Sequence, residues 1–338
     1  MRILVCGGAG YIGAHMLKRL HAAGHEVVSF DNLSTGNRHA VRWGELVEGD
    51  LLDPGALRDL FHRHRFDVVM HFSARSLVAE SLREPALYYQ NNVIGTFYLL
   101  EAMREAGVRN LIFSSSAAVF GNPLTERIGE DHPRVPITPY GQSKLMVEQM
   151  LKGYAVAYGL NSVSLRYFNA AGADPEGELG EEHDPETHLI PNIFKMACGG
   201  TGEVLSIFGG DYPTPDGTCI RDYVHVRDLC EAHLRAIAYL EREPGAHAFN
   251  LGNGNGWSVL QVLAVAEAVV GRRIPYRMVE RRAGDPAMLI VNSARARDEL
   301  GWVSRHTDLR YIIETAWQWE RGARTAHREG RIAGVECG

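Results

Sequence analysis

The chain has 338 residues, of which 45% are hydrophobic and 22% charged, and 41 acidic against 35 basic residues give a formal net charge of -6. These values are typical of a globular protein with one large or two modest domains, and they argue against disordered, collagen-like and membrane-spanning classes. A mildly acidic chain is a poor general nucleic-acid binder, so we expect no nucleic-acid partner and local arginines wherever an anionic ligand binds.

The first half of the chain alternates short apolar runs with helical patterns. The runs are RILVCG, EVVSFD, FDVVMHFSA, RNLIFSSS and SVSLRYFN. Strands that alternate with helices in this way form a parallel sheet with helices on both faces. Residues 86–107 carry apolar side chains at helical spacing, with Pro85 before them and Gly107 at their end, which predicts one long helix.

The regular alternation stops after about Asn169. The next segment, AAGADPEGELGEEHDPETHLIP, is rich in glycine, proline and acidic residues, which indicates a domain boundary. The later strand pattern HAFNLGNGNG and helix pattern VLQVLAVAEAVVG could rejoin the first sheet or build a second lobe, and the sequence leaves both open. HDPETH (183–188) offers carboxylates and imidazoles, but it has no helical H-x-x-x-H and no cysteine, so we predict a polar loop and no metal.

Cysteine usage and the start of the chain bear on its location. Five widely spaced cysteines, the last of them Cys337, include no C-x-x-C pair, which predicts neither a disulfide framework nor a zinc site. The apolar run that opens the chain is too short for a secretion signal, so we expect a cytoplasmic protein.

Gly7, Gly10 and Gly13 directly follow the first predicted strand and precede a helical pattern. Glycines there allow a tight turn and let backbone N–H groups approach a pyrophosphate at a helix N-terminus. Asp31, at the end of the second predicted strand, could accept a hydrogen bond from an adenosine ribose 2′-hydroxyl and would repel a 2′-phosphate, which favours NAD over NADP. Asp50, after the third run, is a candidate for the adenine edge. The alternative is a glycine turn in an α/β protein that binds no nucleotide.

Tyr140 and Lys144 lie four residues apart, so a helix that starts near Tyr140 would place them on one face. A free tyrosine has a pKa of about 10 and is a poor base at neutral pH. One positive charge at about 4 Å supplies roughly 4 kcal/mol at an effective dielectric of about 20, enough to lower that pKa by about three units. The strand that ends before this pair offers hydroxyls at Ser114, Ser115 and Ser116, at the edge where doubly wound sheets bind ligands. The pair predicts a catalytic base, and an exposed tyrosine beside a solvated lysine is the alternative.

Several longer motifs occur in order along nearly the whole chain: GGAGYIG, DNLSTG, EGDLLD, SSSAAVFG, PYGQSKLMVEQ, LRYFNAAGA, DYPTPDGTCIRDYVHV and RRAGD. With these motifs the sequence resembles the extended short-chain dehydrogenase/reductase family and, within it, the UDP-glucose 4-epimerases. The resemblance implies an α/β fold with a doubly wound, Rossmann-like parallel sheet in an NAD-binding domain, residues 1–169. It also implies a smaller C-terminal α/β lobe that binds the UDP-sugar, residues 170–338, with segments near 220–255 returning to the first domain.

The same resemblance implies the reaction. It is the reversible C4 epimerisation of UDP-glucose and UDP-galactose through a transient 4-keto intermediate, with tightly bound NAD. Tyr140 would take the proton of the sugar 4-hydroxyl, Lys144 would bind the nicotinamide ribose and keep the tyrosine ionised, and Ser116 would hydrogen-bond the same sugar oxygen. The family also implies a homodimer whose helices 86–107 and 140–158 pair across a two-fold axis.

Two larger sets of residues match positions that surround the family's ligands. Around NAD, besides Ser116, Tyr140 and Lys144, these are Gly7, Gly10, Tyr11, Ile12, Gly13, Asp31, Asn32, Leu33, Ser34, Thr35, Gly36, Asp50, Leu51, Phe72, Ser73, Ala74, Ser76, Asn91 and Phe168. Around the UDP-sugar, besides Ser116 and Tyr140, they are Asn169, His188, Leu189, Leu205, Ser206, Ile207, Phe208, Arg221, Arg282, Asp285 and Leu289.

The sequence departs from related enzymes at positions that matter for the reaction. Related dehydratases carry an Asp-Glu pair after the hydroxyl residue, whereas this chain has Ala117 and Ala118, which disfavours dehydration. Leu289 is intermediate between a large residue that excludes N-acetylated sugars and a small one that admits them. Whether N-acetylated UDP-sugars fit therefore stays open. A 4-epimerase of UDP-N-acetylglucosamine, UDP-glucuronate or UDP-xylose is the alternative, and a net NAD-dependent nucleotide-sugar dehydrogenase or reductase is a further one.

Overall fold

The computed structural model describes residues 1–199 and 204–328, with side chains described as far as residue 322. The strands are β1 (Arg2–Cys6), β2 (Glu26–Asp31), β3 (Glu45–Glu48), β4 (Val68–His71), β5 (Asn110–Ser116), β6 (Asn161–Tyr167), β7 (Asn169–Ala171), β8 (Leu205–Phe208), β9 (Ile220–His225), β10 (Ala246–Leu251), β11 (Gly256–Ser258), β12 (Tyr276–Val279) and β13 (Met288–Leu289). The α-helices are α1 (Tyr11–Ala22), α2 (Pro54–Arg63), α3 (Val78–Arg83), α4 (Pro85–Tyr88), α5 (Gly95–Ala106), α6 (Pro139–Tyr158), α7 (Leu189–Ala197), α8 (Val226–Leu240), α9 (Val259–Val270), α10 (Ala294–Leu300) and α11 (Leu309–Arg328).

A seven-stranded parallel sheet organises the larger part of the molecule, in the order β10-β6-β5-β4-β1-β2-β3. Alternate residues of β1 point to opposite faces, as a pleated strand requires. Ile3 and Val5 pack with α1 and α8 on one face, and Leu4 and Cys6 pack with α2, α5 and α6 on the other. Both faces are therefore covered by helices, and the predicted doubly wound sheet is confirmed.

The C-terminal part adds two small sheets. In one of them β9 pairs with β7, β11 and β13, and in the other β8 pairs with β12. Helices α7, α9 and α11 cover a third apolar core on these strands. This is the smaller α/β lobe that the sequence predicts. The strand β10, whose position the sequence left open, pairs with β6 in the large sheet.

The long helix predicted over 86–107 is helical throughout but not uniform. Between α4 and α5, residues Tyr89–Ile94 form a π-helical segment. Within it, the Asn92 side chain bonds both backbone groups of Arg75, and the Thr96 hydroxyl donates to the Asn92 carbonyl. These bonds accompany the wider turn, which periodicity alone does not signal. Gly107 ends the run with a φ of 74°, as its predicted role as a cap requires.

Two further observations concern the described residues. None of their helices combines the length and apolar character that crossing a membrane takes. Cys6, Cys219 and Cys230 are buried thiols outside any disulfide, while Cys337 lies outside the described part of the chain.

Candidate functional site

The glycine-rich turn after β1 lies against the end of β4 and leads into α1. A Cβ atom on Gly7, whose φ is +82°, would lie 2.6 Å from the Ser73 nitrogen, and one on Gly13 would lie 2.0 Å from the Gly7 carbonyl oxygen. Neither position tolerates a side chain. A Cβ on Gly10 would meet only the Gly7 oxygen, at 3.5 Å, so the space in front of this residue is open.

The start of α1 is suited to bind an anion. Gly10 is its N-cap residue, no side chain caps the helix, and its first turn contains no acidic residue. The N–H groups of Tyr11, Ile12 and Gly13 have no partner within the helix, and the helix dipole adds positive potential at this end. A dinucleotide pyrophosphate therefore fits here, as the spacing of the glycines predicts.

The acidic residues predicted for the adenosine half lie beside this turn. Asp31 ends β2 and is buried, and its carboxylate accepts hydrogen bonds from the backbone N–H groups of Ala9 and Leu33, both at 2.9 Å. Burial raises its pKa, and these two donors act in the opposite direction. Asp50 accepts from the Asn32 amide at 2.9 Å. The two acids are thus held at neighbouring strand ends, where a ribose and an adenine could reach them.

The other residues predicted around the cofactor follow the same strand edge. Leu33 has a φ of 57°, in the left-handed region that non-glycine residues rarely occupy. A Cβ on Gly36 would lie 2.8 Å from the Ala9 carbonyl carbon, so this loop passes directly over the turn. Asn91 lies within the π-helical segment, and the remaining residues lie in loops. Leu51 is buried, Phe72, Ser73, Ala74, Asn91 and Phe168 are half-buried, and Ser34, Thr35 and Ser76 are exposed.

The predicted catalytic residues converge where β5 meets α6. Thr138 caps α6 through its hydroxyl and Pro139 occupies the first turn, so the helix begins where the sequence predicts it. Lys144 is buried, and its Nζ donates to the Ser114 carbonyl at 2.8 Å and lies 5.9 Å from the centre of the Tyr140 ring. The Ser116 hydroxyl accepts from the Ala118 N–H at 3.1 Å and hydrogen-bonds the Tyr140 side chain. The hydroxyl proton of Ser116 is therefore available to the tyrosine oxygen.

The charge balance at this pair differs from the sequence prediction. Burial raises the pKa of Tyr140, and the hydrogen bond from Ser116 lowers it in part. Burial also lowers the pKa of Lys144 to about 7. The expectation that Lys144 alone would lower the tyrosine pKa is thus not met, because the ammonium lies against a carbonyl oxygen and because burial disfavours both charges. Ionising Tyr140 therefore calls for more positive charge than the lysine supplies.

The residues predicted around the UDP-sugar lie mainly in the C-terminal lobe. The buried Arg221 on β9 donates to the Pro286 carbonyl at 2.9 Å and to the Asp285 carboxylate at 3.3 Å. The guanidinium of Arg282 lies 3.9 Å from the centre of the Phe208 ring. Two arginines and one aromatic ring therefore lie near one another, the combination that a diphosphate and a base would use.

The remaining predicted substrate residues lie between this lobe and the predicted catalytic residues, or beside the lobe. Leu289 on β13 pairs with Arg221 on β9 and packs on the cluster of Phe120 and Leu145, which lies next to the predicted catalytic residues. Asn169 on β7 donates to the Asp222 carbonyl at 3.3 Å. Leu205, Ser206, Ile207 and Phe208 form β8, in a different sheet from Arg221, and His188 precedes Leu189 at the start of α7.

The structure forms two clusters in this region that the sequence analysis did not predict, although it assigned one member, His188, to the UDP-sugar site. Glu148 is a buried residue of α6 and accepts two hydrogen bonds from Arg166, at 2.8 and 2.6 Å, and one from the Ser115 hydroxyl, at 2.7 Å. The sequence spacing could have indicated this residue, because Glu148 follows Lys144 by four residues, as Lys144 follows Tyr140, so all three lie on one face of the helix. The second group is a set of histidine and glutamate side chains in the loop before α7. The HDPETH stretch contains most of this set, but its spacing did not predict that the side chains would converge.

Comparisons with known proteins show which family this chain resembles. The model of the NAD dependent epimerase/dehydratase family matches residues 3–252. A curated UDP-glucose 4-epimerase from Lacticaseibacillus casei is 48% identical over 331 residues, which cover 98% of each chain. A structure of UDP-glucose 4-epimerase from Brucella ovis in complex with NAD has a TM-score of 0.90 and 49% identity, covering 94% of this chain and 98% of that one. A structure of the Bifidobacterium longum enzyme in complex with NAD+ and UDP has a TM-score of 0.92 and 36% identity, covering 96% and 99%.

Proposed function

Because this chain belongs to the NAD dependent epimerase/dehydratase family, we propose that it interconverts UDP-glucose and UDP-galactose by inverting C4 of the sugar. The observation that carries the proposal is the convergence of Ser116, Tyr140 and Lys144 at the carboxyl edge of the large sheet. The uncapped start of α1 opens at the same edge. Similarity to UDP-glucose 4-epimerases over nearly the whole chain supports the same activity.

NAD fits the glycine turn, and when bound it supplies the acceptor for hydride from the sugar C4. The N–H groups at the start of α1 would hold the pyrophosphate in the space that Gly10 leaves open, and Asp31 would bind the adenosine ribose. Lys144 would hold the nicotinamide ribose, since its Nζ already has one fixed acceptor in Ser114.

Proton transfer at the sugar belongs to Tyr140. As a phenolate it would accept the proton of the 4-hydroxyl and later return it to the same oxygen. Ser116 directs its hydroxyl proton to the tyrosine oxygen and so favours the phenolate. The added positive charge that ionisation calls for would come from the oxidised nicotinamide beside the ring.

The substrate must stay bound while its C4 presents first one face and then the other. Arg221 and Arg282 would bind the diphosphate, and Phe208 would lie against the base. A 4-keto sugar held only through its UDP half could turn within the site. Retention of the cofactor throughout follows from this scheme, because exchange would strand the keto sugar.

Two features address the alternative reactions. Ala117 and Ala118 offer neither acid nor base for elimination of water. Relatives that match nearly the whole chain are UDP-glucose 4-epimerases. Epimerisation of other UDP-sugars, or a net dehydrogenase reaction with release of NADH, is therefore not favoured, while acceptance of N-acetylated sugars depends on the room beside Leu289.

The test is to supply purified protein with UDP-galactose and no added NAD, and to follow UDP-glucose with a coupled dehydrogenase. We expect turnover without NADH accumulation, abolished by Tyr140→Phe and kept by Tyr158→Phe, a matched change on the exposed end of α6. Accumulating NADH, or full activity of Tyr140→Phe, would contradict the proposal. UDP-N-acetylgalactosamine, assayed in parallel with product separation, reports what Leu289 permits.

We also propose that the protein is a homodimer. Leu87, Ile94 and Phe97 are exposed along residues 85–106, and Val156 and Tyr158 are exposed on α6. These are the two helical segments that the family resemblance assigns to the dimer, and apolar side chains there would be covered by a second copy. Light scattering of the wild type and a Phe97→Glu variant tests this. The cytoplasmic location stays a prediction from the sequence.

A further inference from the structure

Four side chains of the loop between β7 and α7 converge on one point. They are Glu181, His183, Glu186 and His188, and one potential ligand atom from each lies within 4.8 Å of all the others. The Nδ1 atom of His183 is 3.3 Å from Glu181 Oε1 and 3.7 Å from Glu186 Oε2. The Nδ1 atom of His188 contacts the same Glu181 oxygen and lies 3.9 Å from Glu186 Oε1.

We propose that these four residues form a binding site for a divalent transition-metal cation, with zinc the best match. Imidazole nitrogens and carboxylate oxygens are zinc ligands at bond lengths of about 2.0–2.2 Å, which place the ligand atoms of a tetrahedral shell about 3.3–3.6 Å apart. Three of the separations, 3.3, 3.7 and 3.9 Å, are close to that range, whereas the His188–Glu181 contact is shorter and would have to lengthen. Small side-chain movements would complete the shell.

The carboxylates of Glu181 and Glu186 are largely buried. The side chain of Glu186 is only 2% exposed and that of Glu181 only 9%. Glu186 Oε1 accepts the backbone N–H groups of Thr187 and His188, at 2.7 and 2.8 Å. These bonds orient the carboxylate, as outer-shell donors do around metal ligands. Its other oxygen faces His183 at 3.7 Å, beyond hydrogen-bonding distance.

Both imidazoles direct Nδ1 at one oxygen of Glu181, with ring centres 5.4 Å apart. Without a cation, each Nδ1 must carry a proton to donate to that oxygen. One cation would replace both protons and would use both nitrogens as acceptors.

The other acidic cluster found in the described residues is not a comparable metal site. Asp174, Glu176 and Glu178 surround the Lys18 ammonium, at 2.7, 2.6 and 2.6 Å. A cation is already supplied there by the protein itself. The group also lacks a nitrogen ligand, which a zinc site normally includes.

The location indicates a structural role. The cluster loop is tied to the cofactor side of the molecule, where His39 pairs with Glu182 at 3.0 Å and Asn37 bonds the Glu182 carbonyl at 3.3 Å. At its other end, His188 leads directly into Leu189 and α7. A metal would fasten this connection between the two lobes. It would take no part in the transfer of hydride or proton, although one of its ligands, His188, is also among the residues predicted around the UDP-sugar.

The test measures metal on the full-length protein with its cofactor. After treatment with a chelator and its removal, zinc chloride is titrated calorimetrically in two buffers of different ionisation enthalpy, and bound zinc is counted by elemental analysis. We expect one zinc per chain, with protons released on binding. His183→Ala and the double variant His183→Ala/Glu186→Gln should lose at least about tenfold in affinity.

The neighbouring pair of His39 and Glu182 provides the matched control. It is also an imidazole–carboxylate pair, but it lies outside the cluster, so His39→Ala/Glu182→Gln should bind zinc like the wild type. Cobalt added instead of zinc should give the intense visible absorption of a tetrahedral site in the wild type and the control alone. Absence of stoichiometric zinc in the wild type, or equal binding by His183→Ala/Glu186→Gln, would overturn the proposal. The cobalt spectrum and proton release of the wild type decide the matter even if a variant does not fold.

Discussion

Replacing Glu148 by glutamine should strongly destabilise the protein. Glu148 and Arg166 are 3% and 1% exposed at their side chains and form a two-point ion pair, and Ser115 donates a third hydrogen bond to the same carboxylate. The Nη1 atom of Arg166 already has no hydrogen-bond partner. In Glu148→Gln the guanidinium would stay buried without its ion-pair partner, while the shape of the side chain would hardly change.

The magnitude follows from this burial. Breaking a buried ion pair by removing one partner costs about 3–5 kcal/mol, because the other charge is left uncompensated. The free energy of unfolding, measured by urea denaturation at constant NAD, should fall by this amount. Because Glu148 lies one turn beyond Lys144 on α6, we also expect kcat to fall more than KM rises.

The matched control is Glu314→Gln on α11. Glu314 pairs with Arg310 at 3.2 Å, and both side chains are about half exposed. An exposed pair of this kind contributes about 0.3–0.5 kcal/mol, so the control should unfold nearly like the wild type. If Glu148→Gln and Glu314→Gln lost the same small amount, the buried pair would not hold α6 in place and the reasoning would be refuted.

Three further outcomes are expected. Gly10→Ala should keep its stability and lose NAD because its Cβ enters open space, whereas Gly13→Ala should lose stability because its Cβ would lie 2.0 Å from a backbone oxygen. Measurements of thermal unfolding and of bound NAD distinguish the two variants. If both variants behaved alike, the assignment of the pyrophosphate site to Gly10 would be contradicted. Ser116→Ala removes a hydrogen bond that lowers the pKa of Tyr140. The rising limb of the plot of kcat/KM against pH should therefore move to higher pH. If the limb did not move, Ser116 would not influence the ionisation of Tyr140. Arg221→Lys should raise KM for the UDP-sugar at least about tenfold through loss of two-point binding, and an unchanged KM would remove Arg221 from the diphosphate site.

Much of the site could be predicted because it depends on short sequence spacings. The glycine turn, Asp31 and the helix that begins beside Tyr140 each follow from residues within one strand-to-helix connection. The charge state of Tyr140 could not be predicted in this way. It depends on burial and on where the Lys144 ammonium lies, and residues distant in the sequence determine both.

The sequence by itself determined the parallel sheet, its helical cover and the strand ends at which ligands bind, because periodicity and turn residues act over a few positions. Only the tertiary structure decided that β10 joins β6 in the large sheet, that Arg166 meets Glu148 beneath α6, and that two histidines and two glutamates converge before α7. These depend on which surfaces pack together and on how a loop without periodicity closes on itself. Local sequence patterns predict neither the packing of distant surfaces nor the closure of such a loop.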